Sequence, residues 1–229
     1  MRSGARGAAA THQPLPRPLP TPPRPPDSAL TAEFEVCDSL GTAPFARAPP
    51  FSAVSCMFAV HYFFATEAAA SRFLANVAAN LEPGGFFFGT VPSGKRVMAA
   101  IKAGGAWPLL ATRALRLEAH WAGAPKPFGC GYSCAIGDTV TAAAGGGDGG
   151  SFEYLVFFSA FAALAASHGL DPVGRWPNPA LERLLDPGDE GAAFKHFAPH
   201  FPGADPSLER ASELFAAFVF RKREVNKAE

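Results

Sequence analysis

The chain has 229 residues with 20 Lys+Arg and 20 Asp+Glu, so its formal net charge is zero. That balance excludes a protein that holds long nucleic acid by bulk charge. The hydrophobic content of 48% excludes wholesale disorder and is sufficient for a core. Glycine and proline are nevertheless abundant, at 23 residues each, and much of the proline lies near the start.

Residues 1–26 contain eight prolines, four arginines and no acidic residue. Because proline fixes φ and the segment has no apolar period, we predict a disordered, extended leader over residues 1–29. A transit peptide is the alternative, but proline at every second position opposes the amphipathic helix that it needs. The remaining residues, 30–229, are predicted to form one folded domain that is mildly acidic.

Cys37, Cys56, Cys130 and Cys134 include no Cys-x-x-Cys pair, and their spacing does not match a zinc site. Three histidines in the second half of the chain also lack metal-ligand spacing. We therefore expect reduced thiols and no metal. No apolar stretch reaches the roughly 18 residues of a membrane span, so we expect no membrane contact.

Hydrophobic patterning predicts a strand–helix–strand unit in the first half of the chain. Glu33–Cys37 alternates like a short strand, and Phe51–Val60 is an apolar run typical of a buried strand. Thr66 is predicted to cap a helix that Pro83–Gly85 stops, and Phe86–Val91 is again of strand length. Such a unit favours a parallel sheet with a right-handed crossover.

The second half has weaker signals. Residues 106–127 show no clear period, and residues 141–150 form a glycine-rich loop. The patterning predicts four further elements: a helix at Ser93–Lys102, a strand at Phe128–Ile136, a helix at Glu153–His168 and a strand at Ala216–Arg221.

Ligands of open α/β sheets lie at the carboxyl ends of the strands. This rule directs attention to Asp38, to the pair His61–Tyr62 and to Thr90–Pro92. Two of these residues have a structural alternative as well: His61 as a satisfied core histidine and Asp38 as an ordinary turn residue. Glu153 could likewise be a carboxylate at a helix N-terminus.

Five sequence blocks occur in a fixed order over residues 31–222. They are SCMFAVHY at 55–62, LEPGGFFFGTVP at 81–92, FGCGY at 128–132, EYLV at 153–156 and a terminal aromatic strand at 215–222. In this order they resemble the eukaryotic mRNA cap (guanine-N7) methyltransferases. The His-Tyr pair and the Gly-Thr-x-Pro ending are the most specific of these features.

The resemblance implies an α/β, Rossmann-like class I S-adenosylmethionine methyltransferase fold with a mixed, mostly parallel sheet. It implies methyl transfer from S-adenosylmethionine to N7 of the guanine in the 5′ cap of RNA. Because N7 carries a free lone pair, this reaction needs no general base, and positioning suffices. No residue is therefore expected to be catalytic by direct chemistry, and His61 and Tyr62 are expected to position the reactants.

Carried over by position, the resemblance also implies the binding residues. The methyl donor would contact Asp38, Met57 and Tyr62. The cap guanine would be read by Glu153 and surrounded by Phe58, His61, Pro92, Tyr154 and Phe215. Met57 replaces the family's usual glutamine, and Phe215 replaces its usual tyrosine.

The family opens with a lysine-bearing helix, a strand and a glycine-rich donor loop, whereas this chain has the proline-rich leader. We therefore predict a fold that lacks the first βα segment and binds S-adenosylmethionine poorly. The alternatives are a non-catalytic cap- or partner-binding module and a small-molecule methyltransferase. The implied partners are 5′-capped RNA and other capping or transcription proteins, for a monomer in the nucleus.

Overall fold

The computed structural model describes residues 32–105, 107–137, 139, 150–176, 185–186, 190–198 and 206–224. Contacts divide the chain into two units, residues 1–36 and 37–229. Of the first unit, residues 32–36 are described, and they form no strand. The strand predicted at Glu33–Cys37 is therefore wrong. Phe34 and Val36 are almost fully exposed. An alternating pattern forms a stable strand only when a neighbouring strand pairs with it. The predicted leader, 1–29, lies outside the described residues.

The strand–helix–strand unit is confirmed. Strand β1 (Phe51–Met57) is followed by a 3-10 helix (Val60–Ala65), helix α1 (Glu67–Asn80) and strand β2 (Leu81–Pro92). The two strands are parallel, with Val54 opposite Phe87. Thr66 caps α1 as predicted, since its hydroxyl accepts a hydrogen bond from the Ala69 N–H at 3.1 Å. Strand β1 ends three residues earlier than predicted, because Phe58 adopts a left-handed φ of 54° that breaks the extended backbone.

The main sheet has the strand order β1-β2-β10-β9-β8, and β7 also pairs with β10. The later strands are β7 (Leu170–Pro172), β8 (Leu185–Asp186), β9 (Phe194–Phe197) and β10 (Phe215–Lys222). The Rossmann-like α/β class is confirmed, but the mostly parallel sheet is wrong. Within the described chain only β1 and β2 are parallel, and the other pairs are antiparallel. Strand β10 alternates between buried and half-buried residues, which is the pattern of an antiparallel strand with one covered face.

A second, four-stranded antiparallel sheet has the order β3-β4-β5-β6. It contains β3 (Leu109–Ala111), β4 (Leu115–Ala119), β5 (Gly131–Ile136) and β6 (Ser151–Tyr154). Two of these strands lie in residues 106–127, where the sequence shows no period. The helix predicted at Glu153–His168 begins only at Phe158, because Ser151–Tyr154 is paired to β5. Glu153 is thus a strand residue and not a helix N-terminus.

The helices complete two hydrophobic cores. Helix α1 and helix α3 (Phe158–Ser167) cover the main sheet around Phe87 and Phe218. Helix α2 (Gly94–Ala103), predicted at 93–102, and helix α4 (Pro206–Glu213), not predicted, pack against the second sheet. None of the described helices is long and apolar enough to cross a membrane. The 3-10 helix packs against β6 and so joins the two sheets.

Candidate functional site

The candidate site lies where β1 and β2 end. Because these strands are parallel, their carboxyl ends meet at one edge of the sheet, as the sequence predicts. The Phe58 N–H donates to the Thr90 carbonyl at 3.0 Å, which fixes the turn that follows β1 against β2. Phe58 has a left-handed φ and is 51% exposed.

Aromatic and proline side chains form one wall of this edge. Phe215, the first residue of β10, is opposite Pro92, the last residue of β2. The Phe58 and Phe215 rings meet edge to face with their centroids 5.2 Å apart. The structure therefore brings together Phe58, Pro92 and Phe215, three of the residues predicted to surround the cap guanine.

His61 and Tyr62 lie on the 3-10 helix, with ring centroids 4.2 Å apart. The Tyr62 hydroxyl lies 2.9 Å from the Ser151 hydroxyl of β6, and its side chain remains 46% exposed. His61 is only 2% exposed, and neither ring nitrogen has a hydrogen-bond partner within the described part of the chain. Burial lowers the pKa of His61 to about 4, so its imidazole is neutral at physiological pH.

Glu153 is a buried carboxylate held by a tyrosine. It stands opposite Tyr132 in the β5/β6 pair, and the Tyr132 hydroxyl donates to Glu153 Oε2 at 2.6 Å. Burial raises the pKa of Glu153 to about 7, although the Tyr132 hydrogen bond acts in the opposite direction. A buried carboxyl with a pKa near neutrality is characteristic of functional sites.

Glu153 Oε1 lies 3.7 Å from His61 Nε2. This distance is too long for a hydrogen bond, so His61 and Glu153 face each other without a hydrogen bond between them. A buried imidazole that lacks partners is costly to keep, because it forgoes its hydrogen bonds to water. The structure thus places two buried polar side chains against each other, with both ring nitrogens of His61 lacking a hydrogen bond within the described part of the chain.

Comparison with known proteins decides the family. The mRNA (guanine-N(7))-methyltransferase domain model matches residues 26–178, two thirds of the chain. The chain belongs to this family.

Its curated relatives are mRNA cap guanine-N(7) methyltransferases. The Arabidopsis thaliana enzyme 1 is 33% identical over 129 residues, covering 54% of this chain and 32% of the relative. The Oryza sativa enzyme 1 is 32% identical over 132 residues, with the same shares. A Caenorhabditis elegans relative is 47% identical over 55 residues, 24% of this chain and 14% of that protein. The chain thus spans about a third or less of the length of these relatives.

Among solved structures, an S-adenosylmethionine-dependent methyltransferase from Clostridium acetobutylicum aligns with a TM-score of 0.43 at 8% identity. The alignment covers 82% of this chain and 64% of that one.

The methyl donor of the cap methyltransferase family is S-adenosylmethionine, and the residues predicted to bind it here fit that molecule only in part. Asp38 is exposed in a turn, as expected if it is an ordinary turn residue. No described contact joins it to Met57 or Tyr62. Met57 is exposed at the end of β1, beside a cavity lined mainly by apolar side chains such as Phe88 and Phe218. No contact within the described part of the chain joins Asp38, Met57 and Tyr62, so their role in binding the donor stays a prediction.

Tyr154, the remaining predicted cap residue, is not brought to the site by any described contact. It follows Glu153 on β6 and points to the other face, where its ring meets Phe152 at 5.5 Å and it packs against the main core. The resemblance predicts both residues at the cap guanine, but on a strand the side chains of adjacent residues point to opposite faces.

Some buried polar residues of this cap methyltransferase domain are not evident from the sequence. Tyr132 belongs to the FGCGY block, but its partner became evident only with the β5/β6 register. A second buried polar cluster lies just beyond Pro92: Glu190 accepts a hydrogen bond from the Ser93 hydroxyl and lies 3.5 Å from His196 Nε2. No spacing in the sequence indicates this cluster. It ties the segment before β9 to the start of α2. Among the described residues no group of three or more potential ligands is close enough to hold a metal ion.

Proposed function

We propose that this chain recognises the guanine of the 5′ cap of RNA and is the cap-binding part of an mRNA cap guanine-N7 methyltransferase. The observation that carries the proposal is the buried Glu153, with one oxygen held by Tyr132 and the other facing the unpartnered ring of His61. Membership of the methyltransferase family supports it. The reaction is methyl transfer from S-adenosylmethionine to N7.

The chemistry of guanine matches a carboxylate at this position. Guanine presents two donors on its Watson–Crick edge, the N1–H and the exocyclic amine, and an ionised carboxylate has only acceptors. Adenine lacks the N1–H, so it would leave Glu153 buried and incompletely paired. Such a mismatch typically costs more binding energy than a lost contact in an apolar pocket.

The neighbouring side chains suit the charge that develops at N7. Phe58 and Tyr62 are about half exposed and can lie against the base. Their π faces attract the cationic ring that methylation produces, and the Glu153 carboxylate favours the same charge. His61 is neutral at working pH, so it adds no opposing charge beside N7. No side chain has to remove a proton, since the N7 lone pair attacks the methyl group directly.

A non-catalytic cap-binding module is a second candidate. It is favoured by the position of Asp38, which is exposed and not joined by any described contact to Met57 or Tyr62. In such a module the guanine would be held but no methyl group would be supplied. The two candidates share the same cap site and differ only in the donor half.

The experiment pairs binding with methyl transfer on the same chain. Binding of GpppG would be measured by calorimetry, and transfer of labelled methyl from S-adenosylmethionine to GpppG would be measured separately. We expect Glu153→Gln to weaken GpppG binding by at least about tenfold, because the amide presents a donor where the guanine presents donors. Glu82→Gln, which changes an exposed carboxylate on β2, should bind like the native chain.

The outcomes separate the candidates. Binding without transfer supports the cap-binding module, and binding with transfer supports the enzyme. Absence of GpppG binding to the native chain overturns both. If Glu153→Gln bound as tightly as the native chain, the guanine-reading role of Glu153 would be wrong.

The same proposal covers partners and location. We infer that 5′-capped RNA is the partner, together with capping or transcription proteins, and that the chain acts in the nucleus as a monomer. A monomer is consistent with a guanine held by residues of one chain. Sedimentation with and without GpppG, and the position of a tagged chain in cells, test these points.

A further inference from the structure

Tyr132 is a buried side chain that touches the candidate site from behind Glu153. It is 1% exposed, belongs to the core between α2 and the second sheet, and directs its hydroxyl to Glu153 Oε2. Because it is buried behind Glu153, it has no surface to offer to a guanine. Its hydroxyl nevertheless donates a hydrogen bond to the carboxylate that the proposed function assigns to guanine recognition.

We propose that Tyr132 is a positioning residue for guanine recognition: its hydroxyl fixes one oxygen of Glu153 and thereby presents the other oxygen to the base. The inference rests on the proposed function. A carboxylate can rotate about its last side-chain bond, and that rotation is broad and poorly restrained. The 2.6 Å hydrogen bond from Tyr132 removes this freedom and leaves Oε1 on the side of His61.

Tyr132 also influences whether Glu153 is ionised. Burial raises the pKa of Glu153, and the hydrogen bond from Tyr132 lowers it. Without the hydroxyl, burial would act unopposed, and more of the carboxyl would be protonated at neutral pH. A protonated carboxyl has one acceptor fewer for the two guanine donors. The pKa of Tyr132 itself lies well above its usual value, so its hydroxyl remains a donor throughout.

The groups that face Glu153 are few. They come from β5 and from the 3-10 helix: Tyr132 and Cys134 from the strand, and His61 from the helix. Burial raises the pKa of the Cys134 thiol far above neutrality, so it stays protonated. His61 is neutral above about pH 4. Among Tyr132, Cys134, His61 and Glu153, the side chain that titrates between pH 6 and 9 is therefore Glu153.

The test uses the intact chain with Tyr132→Phe, which keeps the ring and deletes the hydroxyl. The first measurement is GpppG binding by calorimetry from pH 6 to 9. The second is the titration of Glu153 by NMR of ¹³C-labelled glutamate, with its signal assigned by Glu153→Gln. We expect binding at pH 7 to fall about tenfold or more, and we expect both pH profiles to move to higher pH. Binding should therefore recover in part at pH 8, where the guanine N1–H is still in place.

The matched control is Ser133→Ala. Ser133 is the next residue of β5, and its hydroxyl lies 2.7 Å from His120 Nε2, so the variant also loses a hydrogen bond from the same strand. It points away from Glu153, and neither profile should move. A second variant places 3-fluorotyrosine at position 132. It keeps the side chain with a stronger donor, and both profiles should then move to lower pH.

Each outcome decides the proposal. An equal loss of binding at every pH, with an unshifted Glu153 titration, would show that Tyr132 is only structural and overturn it. Unchanged GpppG binding by Tyr132→Phe would also overturn the proposal. If Tyr132→Phe does not fold, the direction of shift in the fluorotyrosine protein decides. If the native chain binds no GpppG, the proposed function fails, and the Glu153 titrations still show whether Tyr132 controls this carboxylate.

Discussion

His61 and Glu153 lie 3.7 Å apart, and burial moves their pKa values in opposite directions. The pKa of Glu153 rises from 4.5 to about 7, so its contribution to stability is present below pH 4.5 and lost as the pH rises to about 7. The pKa of His61 falls from 6.5 to about 4, so its contribution is present above pH 6.5 and lost as the pH falls to about 4. Between pH 4.5 and 6.5 the stability that Glu153 loses as the pH rises is therefore offset by the stability that His61 gains.

Replacing Glu153 should reveal how the contribution of His61 to stability depends on pH. In Glu153→Gln we expect the free energy of unfolding to rise between about pH 4 and 6.5 by on the order of 3 kcal/mol, as a shift of this size in His61 implies. The native chain should show a much flatter profile. Urea unfolding at several pH values measures both, with Glu82→Gln as the control for an exposed carboxylate. Identical slopes in the two proteins would contradict the opposed shifts.

Two asparagines of α1 hold the segment that precedes β1. Asn76 Oδ1 accepts from the Phe45 N–H at 2.8 Å, and its amide donates to the carbonyls of Leu40 at 2.8 Å and Ala43 at 2.9 Å. One turn later, Asn80 Oδ1 accepts from the Arg47 N–H at 2.8 Å. An irregular segment must find partners for its backbone groups, and here the helix supplies them. The pair acts as a clamp between α1 and residues 40–47.

We expect Asn76→Ala to destabilise the chain by about 2 kcal/mol, since it leaves one N–H and two carbonyls of that segment without their partner. Arg72→Ala, which truncates an exposed side chain of the same helix, is the control and should cost little. Urea unfolding measures the difference, and hydrogen exchange of the Phe45 N–H locates it. Unchanged exchange at Phe45 would refute the clamp.

The elements that the sequence predicted well are those with long, uniform patterns. Strand β1, α1 with its Thr66 cap, and β2 follow from apolar runs and a capping residue that act locally. The error at Glu153 has a physical origin: β6 has only four residues, too few to display a period, and the apolar run of α3 follows directly. Likewise, the hydrogen bonds of Asn76 depend on where a distant loop lies.

Within the candidate site, the wall of Phe58, Pro92 and Phe215 was predictable from family motifs. The role of Tyr132 was not, because it depends on the register between β5 and β6.

At the scale of the whole molecule, the main sheet depends on close contact between β1, β2 and β10. Gly89 of β2 lies opposite Cys56 of β1 and Phe218 of β10. A β-carbon at this position would overlap the Cys56 carbonyl oxygen and come within 2.9 Å of the Phe218 ring. Only glycine permits the three strands to approach as they do.

We therefore expect Gly89→Ala to destabilise the chain by about 3 kcal/mol or more, because backbone atoms on β1 must move. Gly137→Ala is the matched control. Its new β-carbon would meet Ala114 at 3.4 Å, an ordinary contact, and should cost less than about 1 kcal/mol. Equal effects of the two substitutions in urea unfolding would show that the strand spacing is adjustable.

The position of β10 has a consequence for the order of folding. The unit of β1, α1 and β2 is continuous in sequence, whereas β10 pairs with β2 only after a long stretch of chain has been placed. Local contacts form quickly and distant ones late, because closing a long loop costs entropy before any contact is gained. Phe215 reaches Phe58 only through that late pairing, and Glu153 also comes from the intervening stretch. A refolding chain would thus acquire its first parallel strands early and its proposed guanine site last, so that GpppG binding would report the completed fold.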